Sequence, residues 1–186
     1  MQTFKEQLIE LNACNDYILW VGEKTFKESW EQAERGDWML WIYCKLYPDN
    51  LRKITLAKGH CANIVRHLMK DERSTNAVDV AIKFGNNKAT IEDLDAAAAY
   101  AAAAYADADD AAAAYAYAAA YAYADADAYA AAADAAYAAA AAADAAAADA
   151  AAYAYDAAAY AAAYSALKNT RQQTADICRK YLTPIF

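Results

Sequence analysis

Apolar residues recur at three- and four-residue intervals through the first half of the chain, a spacing that lines them along one face of an α-helix. Phe4, Leu8 and Leu11 form one such stripe, opened by Thr3 as N-cap and ended by Asn12 or Asn15. Phe26, Trp30 and Ala33 form a second within residues 23–35, which Gly36 closes as a C-terminal glycine does. Asp37 caps a third helix over residues 38–47. Its apolar positions, Trp38 to Ile42 with Cys44 and Leu46, run nearly all round, which predicts a buried helix stopped by Pro48. From Asp49 or Asn50 a fourth helix carries Leu51, Ile54, Ala57, Cys61, Ile64, Val65 and Leu68 inward, with Arg52, Lys53, Lys58, Arg66 and Lys70 on the opposite, solvated face. A fifth covers residues 74–84 with Ala77, Val78, Ala81 and Phe84 inward, and Gly85, Asn86 and Asn87 make its stop and turn. Thr90 is the next N-cap, with Glu92 and Asp93 in the first turn, where acid suits the helix dipole. No alternating β-branched run and no Asn-Gly or Asp-Gly hairpin turn competes. The pattern predicts an all-α protein of stacked antiparallel helical hairpins.

The periodicity then gives way to residues 95–164, built only of 48 Ala, 12 Tyr and 10 Asp. Alanine is the strongest helix former, and Tyr117/Tyr121, Tyr121/Asp125, Tyr123/Asp127 and Asp125/Tyr129 are i,i+4 neighbours, so the tract is predicted helical. One uninterrupted helix of this length would extend about 105 Å. The ordinary sequence that resumes at residues 165–186 places Leu167, Ile177, Cys178, Tyr181 and Leu182 for burial, with Pro184 as the stop, and needs the core of residues 1–94 to bury them. The tract is therefore expected to fold back on the N-terminal helices, turning near residues 107–110, 125–127 and 144–149, with a protruding rod as the alternative. This divides the chain into an N-terminal helical domain (1–94), the low-complexity tract (95–164) and a C-terminal helix (165–186).

Composition alters the picture in one respect. Hydrophobic residues make up 60% of the chain, but most of that figure is Ala and Tyr of the tract, so it overstates the core. The net charge of -8 is also unevenly placed: the tract holds ten Asp and no Lys or Arg, leaving a formal +2 on the remainder. Acidity of this kind opposes binding to nucleic acid or membrane headgroups and suits a basic protein partner. The polar start carries no signal-peptide core, and Asp excludes the tract from a bilayer, so the chain is expected to be cytoplasmic, with Cys14, Cys44, Cys61 and Cys178 reduced and mostly buried.

Candidate chemistry is sparse. His60, Cys61 and His67 lack the spacing of a four-ligand zinc site, and adjacent helical residues such as His60 and Cys61 point about 100° apart, which spoils a nucleophile and base pair. Arg35-Gly36-Asp37 reads as a helix junction, and Trp20, Trp30, Trp38 and Trp41 as core. Asp107, Asp109 and Asp110 lack the glycine and bidentate glutamate of an EF-hand. No metal, no cofactor and no catalytic residue is expected. The best binding surface is that of Asp107, Asp109, Asp110, Tyr115, Tyr117, Tyr121, Tyr123, Asp125, Asp127 and Tyr129, where Tyr supplies rigid amphipathic contact area and Asp complements positive charge. The alternative is a structural protein that self-assembles through the same tract into a homo-oligomer or filament, as a fibre, virion or surface component.

Several stretches resemble a family of bacterial and gut-phage immunity proteins attached to polymorphic toxin systems. They are Ala33-Glu-Arg-Gly-Asp-Trp-Met-Leu-Trp41, the middle helix with Cys61 and Arg66, Ala77-Val-Asp-Val-Ala-Ile-Lys-Phe-Gly85, Ala89-Thr-Ile-Glu-Asp-Leu94 before the tract, and Thr174-Ala-Asp-Ile-Cys-Arg-Lys-Tyr-Leu182. The resemblance implies a non-enzymatic protein that neutralises a toxin by binding it. It carries over no catalytic residue.

Overall fold

The computed structural model describes residues 2–69, 71–107 and 157–186. Every regular element among them is helical: α1 (Phe4–Glu10), α2 (Asn15–Val21), α3 (Phe26–Gln32), α4 (Gly36–Leu46), α5 (Leu51–Ile64), a 3-10 turn (Arg66–Leu68), α6 (Glu72–Gly85), α7 (Ile91–Asp107) and α8 (Ala157–Tyr181). The expected turns of the tract at 125–127 and 144–149, and the side chains of Leu68, Lys70 and Leu167, lie outside the described residues.

The first three helices are short, and their ends are chemically marked. Thr3 and Thr25 each open a capping box, accepting from the backbone of Glu6 and Glu28 while those carboxylates accept from the Thr backbone. Asn12 and Gly22 turn the chain with φ of 58° and 55°. The segment α2 is absent from the sequence-based expectation. Its N-cap, Cys14, makes no side-chain cap bond and Leu19 is 75% exposed, so its only marks are the C-cap Gly22 and the short i,i+4 pair of Tyr17 and Val21. Gly36 also has a different role from the one expected. α3 ends at Gln32 with Ala33 as C-cap, and Gly36 is the first residue of α4, whose N-cap is Arg35. Asp37 lies inside the first turn instead of capping it.

Two apolar clusters build the interior. The larger one gathers Phe4, Leu8, Tyr17, Val21, Trp30, Met39 to Cys44, Ile54, Cys61, Cys178 and Leu182, so that α8, far away in sequence, closes over α4 and α5. The smaller one joins Val65, Ala77, Val78, Ala81, Phe84, Leu94, Ala97 and Ala101. α5 and α6 run antiparallel: Gly59 meets Ala81 and Ile82, Gly85 meets Leu56, and Arg66 pairs bidentately with Asp79 at 2.6 and 3.0 Å. Because α5 packs against α4, α6 and α8, it buries more than one face. Lys58, expected on its solvated side, is fully buried.

Candidate functional site

Of the ten tract residues expected to form a binding surface, Asp107 is the last residue of α7. Its side chain, and Asp109, Asp110, Tyr115, Tyr117, Tyr121, Tyr123, Asp125, Asp127 and Tyr129 entirely, lie outside the described residues. The start of the tract is described. In α7, Leu94, Ala97, Ala98 and Ala101 are buried against α6, the i, i+3, i+4, i+7 spacing of one helical face. Asp95 and Tyr100 are exposed, Tyr100 at 64%. Ala97, Ala98 and Ala101 thus turn inward, while Asp95, Ala96, Ala99 and Tyr100 turn to solvent.

A second surface comes from residues that sequence spacing does not connect. A cavity of about 450 Å³ is lined by Trp20, Lys24, Gln32, Glu34, Arg35, Trp38, Lys168 and Arg171. The segments around α2, α3 and α4 supply one wall and α8 the other. Lys24 Nζ donates to the Trp20 carbonyl at 2.7 Å and stands 4.6 Å from the centre of the Trp20 ring. The Arg35 guanidinium lies 4.3 Å from the Trp38 ring and donates twice to the Asp37 carboxylate. Burial lowers the Arg35 pKa, but the hydrogen bonds and charge of Asp37 more than offset it, so the guanidinium ends above its ordinary value. Tyr17 stacks on Trp38 at 4.9 Å, and Trp20 and Trp38 sit 5.5 Å apart. These rings therefore act as supports that fix cations in place. The Nε of Arg171 is buried with no hydrogen-bond partner among the described residues.

Three thiols meet in the larger core. Cys178 donates to the Gly36 carbonyl at 3.5 Å; burial above all, then its contact with Cys61, raises its pKa. Burial pushes Cys44 up to about 11, with the charge of Lys58 pulling the other way. Protonated buried thiols are poor nucleophiles. His60 stacks on Tyr181, with ring centres 4.4 Å apart, and is held below its ordinary pKa by burial and then by Lys180. It belongs to that contact and not to a pair with Cys61. Among the described residues no group of His, Cys, Asp and Glu is arranged to hold a metal ion, and no helix is long and apolar enough to cross a membrane. Neither protein-family models, nor curated proteins, nor solved structures provide a match to this chain.

Proposed function

We propose that this chain is an immunity-like binding protein that occludes a basic protein partner with its acidic Tyr/Asp tract. The observation that carries this reading is the sidedness of α7, where Ala97, Ala98 and Ala101 pack on the body and Asp95 and Tyr100 face solvent. The charge division supports it. Ten Asp without a basic residue produce a one-sign field, and such fields accelerate encounter with an oppositely charged partner. The anchoring of α7 on α6 and of α8 on α4 and α5 ties both ends of the tract to one scaffold, which lowers the entropy lost on binding. The partner surface is assigned to Asp107, Asp109, Asp110, Tyr115, Tyr117, Tyr121, Tyr123, Asp125, Asp127 and Tyr129. The chain acts in the cytoplasm, without cofactor and without catalysis.

Co-expression with a toxic protein encoded beside this chain tests the reading. Growth is expected to be restored, and replacing the ten tract Asp by Asn should slow association at low salt by roughly 10-fold or more. Protection that is indifferent to this replacement would count against it. A second reading, assembly of copies into a filament, is favoured by the opposite charges of tract and body. Light scattering separates the two, since a monodisperse monomer excludes assembly.

A further inference from the structure

We propose that the cavity between Trp20, Trp38 and α8 binds a small organic phosphate, whose dianion is held by Lys24, Arg35, Lys168 and Arg171. Among the described residues four cations and one acid, Glu34, line the cavity, and Arg35 is paired with Asp37. Like charges gathered in this way repel, and an anion between them relieves the cost. Two of the four are fixed before any ligand arrives, Lys24 on Trp20 and Arg35 on Trp38 and Asp37. Lys168 and Arg171 line the cavity from α8. Charge-assisted bonds to phosphate are among the stronger ones available to arginine and lysine.

The size of the ligand follows from the space. About 450 Å³ falls within the usual range of small-molecule pockets and exceeds what bare phosphate fills. The ester's organic body would occupy the remainder, against Trp20 and Trp38. A cavity of this volume encloses a small ester and not a polyanion chain.

The test uses the full chain, titrated by calorimetry and by the shifts of the Trp20 and Trp38 indole N–H signals. The probes are a nucleoside 5′-monophosphate, a sugar phosphate, their unphosphorylated counterparts, inorganic phosphate, and an acetylated Tyr-Ala-Asp-Ala-Asp peptide. At least one organic phosphate is expected to bind with Kd below ~1 mM and at least ~10-fold more tightly than its unphosphorylated counterpart. Which of the two esters binds identifies the body the cavity accepts. Lys168→Gln and Arg171→Gln should each weaken binding by roughly 10-fold, and Lys53→Gln, outside the cavity, should leave it unchanged. Circular dichroism checks that the variants fold, and Lys168→Gln, exposed in the free protein, keeps the test valid if Arg171→Gln does not. The proposal is overturned if neither ester saturates, if the unphosphorylated compounds or inorganic phosphate bind as tightly, if the two α8 variants bind unchanged, or if only the acidic peptide binds.

Discussion

Gly36 begins α4 where α8 crosses it, and a Cβ built there would stand 2.6 Å from the carbonyl carbon and Cβ of Thr174. Alanine has a helix propensity advantage of up to ~1 kcal/mol over glycine, but the backbone of α8 cannot yield as a flexible side chain can. Gly36→Ala is therefore expected to destabilise the fold by about 1–3 kcal/mol, read from urea denaturation; an unchanged midpoint would show that the helices separate freely. The sequence marks this glycine but not its reason, because Thr174 is distant along the chain. The cysteines divide just as sharply. Cys14 is exposed while Cys44, Cys61 and Cys178 are buried, so a thiol reagent should label one cysteine in the native protein and four in denaturant. Cys44 also couples stability to pH. Its pKa rises from an ordinary 9.0 to about 11, so the unfolded chain ionises first. Its contribution is fully present below pH 9 and lost as pH rises towards 11, a decrease of roughly 2–3 kcal/mol at most. Tyr17, raised by burial and then by Cys14 and Asp37, acts in the same direction at higher pH. Denaturation midpoints at pH 8 and pH 10.5 should differ accordingly.

At the scale of elements, α1, α3 and α7 share one device. Thr3, Thr25 and Thr90 each accept from the backbone of the residue three later at 3.2 Å, and the acid there (Glu6, Glu28 or Asp93) accepts from the Thr backbone at 2.8 Å. α1 and α3 have seven residues each, too few to persist alone, so caps and burial hold them. Thr25→Ala should cost about 1 kcal/mol, measured by thermal unfolding near neutral pH. The Glu28 carboxylate lies below its ordinary 4.5 through its backbone and then side-chain hydrogen bonds to Thr25. The box is thus intact above pH 4.5 and loosens as pH falls through the lowered value, which should shrink the cost of Thr25→Ala in acid. Helix identity was legible wherever such signals coincide with a stripe: Thr3, Thr90, the all-round apolar α4 and the inward face of α6 all read correctly. The fold class follows from them. What sequence periodicity misses is burial on a second face. Lys58 belongs to the polar side of the α5 pattern, yet it is fully buried, as is Thr55, because α5 has neighbours on several sides. The cationic cavity was hidden for a similar reason: Lys24, Arg35, Lys168 and Arg171 are ordinary surface charges until α8 is placed beside α2 and α4.

For the whole molecule, the decisive feature is that the final helix is part of the first core. Leu182, Cys178 and Ala175 are fully buried within the cluster that contains Leu40, Ile42 and Cys61, and Arg179 donates to the carbonyl of Ala33. Tyr47 Oη adds a clasp at the very end, accepting from Ile185 N at 2.8 Å. Burying apolar surface of this kind contributes roughly 25 cal/mol per Å², and the loss of several fully buried side chains is comparable to the whole stability of a domain this size. The body that carries the acidic tract should therefore not survive without the segment that follows it. A chain ending at Tyr164 is expected to lose its cooperative calorimetric transition and to expose Cys44 and Cys61, so that a thiol reagent labels three cysteines instead of one. If the shortened chain instead melts cooperatively and labels only Cys14, then α1 to α7 fold independently and α8 is an accessory strap. In that case the tract would be tethered firmly at one end only, and the low-entropy presentation of its Asp and Tyr residues to a partner would lose its structural basis.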